Sequence, residues 1–168
     1  MADRRARPTP VRVLGAITLE PIGVVSSPVR EPVDTGWGSV VSEIRLAAGL
    51  ERGLAGLDSF SHAVVVFHMH EAAVDLDSHL VRHPRDDAGL PQVGSFAQRA
   101  RHRPNRIGVT AVEIVAVALD AGVLTVRGLD AVDGTPVLDI KPYVPAYDLR
   151  ADAAVPPWMD EVMAGYFD

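Results

Sequence analysis

The stretch from Ile107 to Leu129 constrains the fold more than any other part of this chain. Two apolar-rich runs, Ile107–Leu119 and Val123–Leu129, are separated only by Asp120-Ala121-Gly122. That spacing reads as two strands joined by a tight antiparallel hairpin. In the second run Leu124 and Val126 alternate with Thr125 and Arg127, so one face is apolar and the other polar. The rest of the chain follows suit. Val40–Leu46 alternates as a strand does, and Ser61–Glu71 (SHAVVVFHMHE) is a Val-rich buried strand. Val137–Val144 is another strand, broken by Pro142, and strand-like spacings run from Val13 to Val29, where Pro28 ends them. Ala47–Leu57 is a short helix candidate with Leu50, Leu54 and Leu57 on one face, weakened by Gly53 and Gly56. Residues 31–39 (EPVDTGWGS) form a loop, and residues 75–92 a long polar loop or a short helix with flanking loops. Pro156-Pro157 opens a terminal segment, WMDEVMAGYF, of helical character. There is no βαβ alternation and no internal repeat. The pattern therefore predicts a mainly β protein, an antiparallel sheet or barrel with a few short peripheral helices.

At 168 residues one domain is expected, assigned to residues 13–168, behind a charged and disordered basic tail over residues 1–12 that carries Pro8 and Pro10. Aromatic residues are only 5% of the chain, so Val, Ala, Leu and Ile must fill the core. The absence of cysteine removes disulfides, thiolate metal sites and cysteine nucleophiles together. No run approaches the roughly 20 apolar residues a membrane helix needs. The start of the chain, MADRRARPTPVRV, lacks an apolar signal region. These features predict a cytoplasmic protein with no membrane partner. The net charge of −6 argues against a broad nucleic-acid surface, yet the basic residues are clustered. All but Lys141 are arginines, with one group at Arg4, Arg5, Arg7 and Arg12 and another at Arg99, Arg101, Arg103 and Arg106.

No Gly-rich dinucleotide fingerprint, P-loop, H-E-x-x-H or G-x-S-x-G is present, so the common nucleotide folds and hydrolase nucleophiles have no support. His68 and His70 are two apart on a predicted strand and share a face. With His62, His79 or Glu71 they could hold a metal, but a packed histidine and a polar strand end explain them better, and no metal is expected. His70-Glu71 reads as the rim of a pocket. The segment GSFAQRARHRPNRIG (94–108) places four arginines and His102 within eight residues, pinned by Pro104 and Gly108. Guanidinium forks hold carboxylates and phosphates bidentately, which suits an anion site. The segment Arg127–Pro145 holds Asp130, Asp133, Asp139 and Lys141; Asp139 and Lys141 share a strand face and could simply pair.

These residues resemble the TrmO family, also called TsaA or YaeB-like. Its blocks run roughly as IGVVRSP, GLEEFSHLWVLFxFH, GVFATRSxFRPNPIGLS and LDLLDGTPVLDIKPYxP. In this chain they stand as IGVVSSP (22–28), GLDSFSHAVVVFHMHE (56–71), GSFAQRARHRPNRIGVT (94–110) and LDAVDGTPVLDIKPYVP (129–145), in the same order and with similar spacing. The resemblance implies a compact, non-Rossmann β-barrel and a homodimer with S-adenosylmethionine bound near the interface. It also implies methylation of N6 of threonylcarbamoyladenosine at tRNA position 37. Carried over position by position, cofactor contacts fall at His70, Glu71, Arg99, Val109, and Arg127, Gly128, Leu129 and Asp130, with Arg103 in the same loop. Where many members have a PRQ segment this chain has DTGWGS (34–39), in which Trp37 is a candidate to stack on adenine or another substrate.

Methyl transfer from a sulfonium needs an in-line nucleophile and a positioned donor. Asp133 and Asp139, beside the cofactor block, are the expected acceptors of the nucleophile's proton. Two other readings stay open: a methyltransferase of the same fold acting on a small molecule, which the acidic net charge and residues 34–39 favour, and a non-catalytic cofactor-binding protein.

Overall fold

The computed structural model describes residues 15–168, so the predicted basic tail and its arginines lie outside the described residues. Six strands close into an antiparallel barrel: β1 (Gly23–Ser26), β2 (Val41–Leu46), β3 (His62–His68), β6 (Ile107–Ala118), β7 (Val123–Arg127) and β8 (Pro136–Pro142), in the order β1-β2-β7-β6-β3-β8. A two-stranded ribbon, β4 (Val81–Arg82) with β5 (Val93–Gly94), lies in the β3–β6 connection. Three short α-helices stand among the described residues, α1 (Leu76–His79), α2 (Pro145–Asp148) and α3 (Pro157–Met163).

The alternation that predicts the strands also fills the barrel. Val25, Ile44, Ala63, Val65, Val112, Leu124, Val126 and Val137 point inward, each no more than 1% exposed. Branched side chains suit a pleated, half-buried surface, and few aromatics are needed in so narrow an interior. Strand β6 is long enough to serve two neighbours. Its first half pairs β3 from His68↔Ile107 to His62↔Glu113, and its second half pairs β7 from Glu113↔Arg127 to Ala118↔Val123. The β6–β7 hairpin turns through Leu119–Ala121, as the Asp-Ala-Gly spacing predicts.

Two expected elements differ. Ala47–Leu57 is no α-helix but a loop with 3-10 turns at Glu51–Leu54 and Leu57–Ser59. The backbone takes left-handed φ values of 91° at Gly49 and 83° at Gly56, which a helix does not tolerate. Leu54 and Leu57 still reach the core, as their spacing suggested. Among the described residues the strand signal before Val29 shrinks to Gly23–Ser26, the stretch in register with β2, whose first two residues also pair β8; Val13 and Leu14 lie outside the described residues.

Antiparallel closure sorts the connections. The β1–β2, β3–β6 and β7–β8 links all emerge at one end of the barrel, while the short hairpin turn lies at the other. The end with the three long links is where the polar sequence blocks meet.

Candidate active site

A cavity of about 540 Å³ opens at that end, within the size range of small-molecule sites. Its floor is the top of the barrel: Phe67 on β3, Thr110 on β6, and Asp130 and Thr135 from the β7–β8 link. The β3–β6 connection adds Met69, His70 and Glu71 on one side and Arg82, Arg99, Arg101 and His102 on another. The β1–β2 link contributes Asp34 and Trp37.

Asp130 stands on the cavity floor with both carboxylate oxygens engaged. One carboxylate oxygen accepts a hydrogen bond from the Thr110 hydroxyl and the other accepts one from the Tyr166 hydroxyl at 3.0 Å. Burial pushes its carboxyl above the ordinary carboxylate range, while the two hydroxyls and the Arg99 charge pull it back. Burial beside that carboxylate likewise pushes the Tyr166 phenol up, which keeps it a neutral donor. Arg99 donates to the Val109 carbonyl, which fixes the start of its fork beside the cavity it lines. The Gln98 side chain bridges the carbonyls of Arg82 (3.1 Å) and Val93 (3.0 Å), and Arg103 donates to the Gln98 carbonyl at 3.1 Å, so the arginine loop is pinned. Arg106 ties it to Ala72 at 3.1 Å. His102 is stacked on His79 at 4.4 Å, and burial pushes its imidazole down toward the neutral form.

His70 Nε2 lies 3.9 Å from Glu71, and its Nδ1 is buried with no hydrogen-bond partner among the described residues. β3 ends at His68, so His70 leaves the strand direction and lines the cavity. Among the described residues no group of three or more His, Cys, Asp or Glu side chains is placed to hold a metal. No helix among them is long and apolar enough to cross a membrane.

His70, Glu71, Arg99 and Asp130 are thus brought together around one cavity. The other expected site residues surround it without lining it. Val109 accepts from Arg99, Arg127 pairs with Glu113 at 2.6 Å, Gly128 turns the chain in left-handed backbone at the end of β7, and Leu129 after it is fully buried in the core. Asp133 and Asp139 also stand outside the cavity wall. The Asp133 carboxylate accepts the Ser27 backbone N–H at 3.0 Å, and Asp139 accepts from its neighbour Ile140 (2.9 Å) and pairs with Lys141. Trp37 does not stand free as a stacking ring. It is 2% exposed, and its indole N–H donates to the Val33 carbonyl at 3.0 Å.

Motif reading missed the wall supplied by α3 and the residues after it. Trp158, Met159, Val162, Met163 and Tyr166 all line the cavity. Their spacing is that of one helical face, a signal for packing that names no partner.

The cavity wall combines a buried carboxylate, a guanidinium fork, an orphaned imidazole nitrogen and apolar surface, on a closed antiparallel barrel. This is the architecture of a non-Rossmann barrel with a small-molecule-sized cavity at one end. The chain belongs to the tRNA-methyltransferase O N-terminal domain family, whose model matches residues 27–149. A protein of Escherichia coli K12 named tRNA (adenine(37)-N6)-methyltransferase is 37% identical over 150 residues, covering 84% of this chain and 63% of that protein. A Methanothermobacter thermautotrophicus protein named "Probable S-adenosyl-L-methionine-binding protein" is 38% identical over 132 residues, 76% of this chain and 90% of that one. A crystal structure of TrmO from Pseudomonas aeruginosa superposes with a TM-score of 0.67 at 33% identity, over 83% of this chain and 62% of that one. The chain therefore spans just under two thirds of the E. coli protein and of the Pseudomonas structure.

Proposed function

We propose that this protein is an S-adenosylmethionine-dependent methyltransferase that modifies N6 of adenosine 37 in tRNA, with the threonylcarbamoyl form of that adenosine as acceptor. The observation that carries the reading is the placing of the Asp130 carboxylate and the Arg99 guanidinium on the wall of one cavity in a family barrel. A methioninium ligand carries an ammonium and a sulfonium, which a buried carboxylate attracts, and a carboxylate, which a guanidinium clamps. The orphaned His70 Nδ1 offers a further polar contact and Glu71 a second negative charge. Val109, Arg103 and the Arg127–Leu129 turn hold these groups in place from behind.

The bound cofactor supplies an electrophilic methyl carbon. The residues of the chain bind it, orient it and keep water from the reacting line, which is how positioning lowers a transfer barrier. Asp133 and Asp139 are engaged away from the cavity, so no proton step is assigned to them.

Arg85 and Arg101 line the same cavity and offer cations to a phosphate-bearing acceptor, while Arg82 beside them is paired with Asp86. A tRNA acceptor places the protein in the cytoplasm. The outward face of β3 and β6, with Val64, Val66, Val109 and Ala111 side by side, is the surface this reading assigns to a homodimer contact.

Calorimetric titration with S-adenosylmethionine tests the cofactor, and the expected result is saturable binding that Arg99→Ala weakens at least about tenfold. Failure of the folded protein to bind refutes the reading. Methylation of undermodified tRNA that weakens steeply with salt supports the tRNA acceptor. Turnover indifferent to salt, with a small molecule in place of tRNA, overturns it.

A further inference from the structure

We propose that Pro157–Phe167 is a built-in wall of the cofactor pocket and that Tyr166 is the positioning residue for the Asp130 carboxylate, a proposal that rests on the cofactor reading above. The segment lies beyond residues 27–149, so the family match assigns it nothing.

Three observations seat it. First, two successive backbone N–H groups of the β1–β2 link donate to it: Gly36 to the Gly165 carbonyl and Trp37 to the Tyr166 carbonyl, each at 2.9 Å. Second, Gly38 has no room for a side chain, since a Cβ there would stand 1.7 Å from the Phe167 carbonyl oxygen. The DTGWGS stretch (34–39) is thus fitted to the residues after α3. Arg85 ties the same link to the β3–β6 connection by donating to the Asp34 carbonyl at 3.0 Å. Third, the Tyr166 hydroxyl reaches across the cavity floor to Asp130 at 3.0 Å.

The consequence for binding follows from the carboxylate's two oxygens. Thr110, from β6, fixes one of them, and Tyr166 fixes the other, so the group can neither rotate nor withdraw from the cavity. Arg99 is the cation that acts on it, and Asp34 adds a negative charge near Tyr166. The ligand this wall suits is a cation carrying a flat apolar ring: the carboxylate meets the charge, and Trp158, Met159 and Val162 cover the ring. Loss of the Tyr166 hydroxyl removes one donor that favours the ionised carboxylate, so the acid-side midpoint for ligand binding should move to higher pH.

The test titrates the full chain with S-adenosylmethionine and with S-adenosylhomocysteine, which lacks the sulfonium charge, across the acidic to neutral range. Wild type, Tyr166→Phe and Gly38→Ala are compared, with thermal unfolding as a check on the barrel. Tyr166→Phe is expected to weaken S-adenosylmethionine binding about tenfold, to weaken the analogue without the sulfonium less, and to raise the acid midpoint. Gly38→Ala, which forces the segment off its seat, should weaken both ligands while the barrel still unfolds cooperatively. Wild-type binding with both variants unchanged overturns the proposal and leaves the cofactor reading standing. Tyr166→Phe with an unmoved acid midpoint overturns the positioning role. Absence of binding by wild type overturns the cofactor reading itself, and this proposal with it.

Discussion

Gly108→Ala is the most discriminating perturbation of the barrel end that carries the site. Gly108 on β6 pairs with Phe67 on β3, and the outer edge of the Phe67 ring stands over it, 3% exposed, as both core and cavity floor. A Cβ built on Gly108 would stand 2.4 Å from two ring carbons and 2.9 Å from a third, where ordinary contact begins at 3.4 Å. The ring must therefore retreat by about 1 Å from a packed position. Overpacking on this scale costs about 1–3 kcal/mol. At about 2–4 °C per kcal/mol for a chain of this size, a central cost of about 2 kcal/mol lowers the thermal midpoint by about 4–8 °C. Urea and thermal unfolding of Gly108→Ala, Phe67→Leu and the double variant measure this directly. If the ring is the obstacle, Leu at position 67 relieves most of the alanine's cost, giving a coupling of about 1–2 kcal/mol, normal for residues in contact. The retreating ring also enters the cavity, so ligand affinity should fall with stability. An unchanged midpoint in Gly108→Ala, or strictly additive variants, would show that the ring and glycine do not constrain one another.

Asp130→Asn should flatten the pH dependence of stability. Because burial raises the folded-state carboxyl above its unfolded value, its stabilising contribution is complete below the ordinary carboxylate range and fades as pH rises through the elevated value. Urea midpoints from about pH 4 to about pH 7 should therefore fall more steeply for wild type than for the variant, and the same variant should lose cofactor binding. A wild-type curve no steeper than the variant's would contradict the buried-charge account. Asp133→Ala should cost about 1 kcal/mol, since it frees the Ser27 N–H, while turnover stays near wild type. A hundredfold loss of turnover in a folded Asp133→Ala protein would return that residue to the proton-transfer role expected from sequence.

The barrel was legible because its signals are local. Alternation at Leu124–Arg127, the Val run of β3 and the three-residue gap before Val123 each specify a strand or turn within a few residues. Ala47–Leu57 misled because leucine spacing was read over glycines that adopt left-handed backbone. The site was half legible. His70, Glu71, Arg99 and Asp130 sit in blocks whose order the chain retains, whereas Asp133 and Asp139 share a block with Asp130 but turn to backbone and lysine partners. Tyr166 was beyond reach of motif reading, since its partner is 36 positions earlier in the chain and only tertiary closure brings them together. Trp37, between two glycines, looked like an exposed platform until its indole met Val33.

The hairpin turn at Leu119–Ala121 has a practical use. It stands at the opposite end of the barrel from every cavity residue, and all three of its residues are exposed. A fluorophore on a cysteine introduced at Asp120 would be the only thiol in the chain. Such a handle would allow surface immobilisation or distance measurements with the ligand end pointing away from the support.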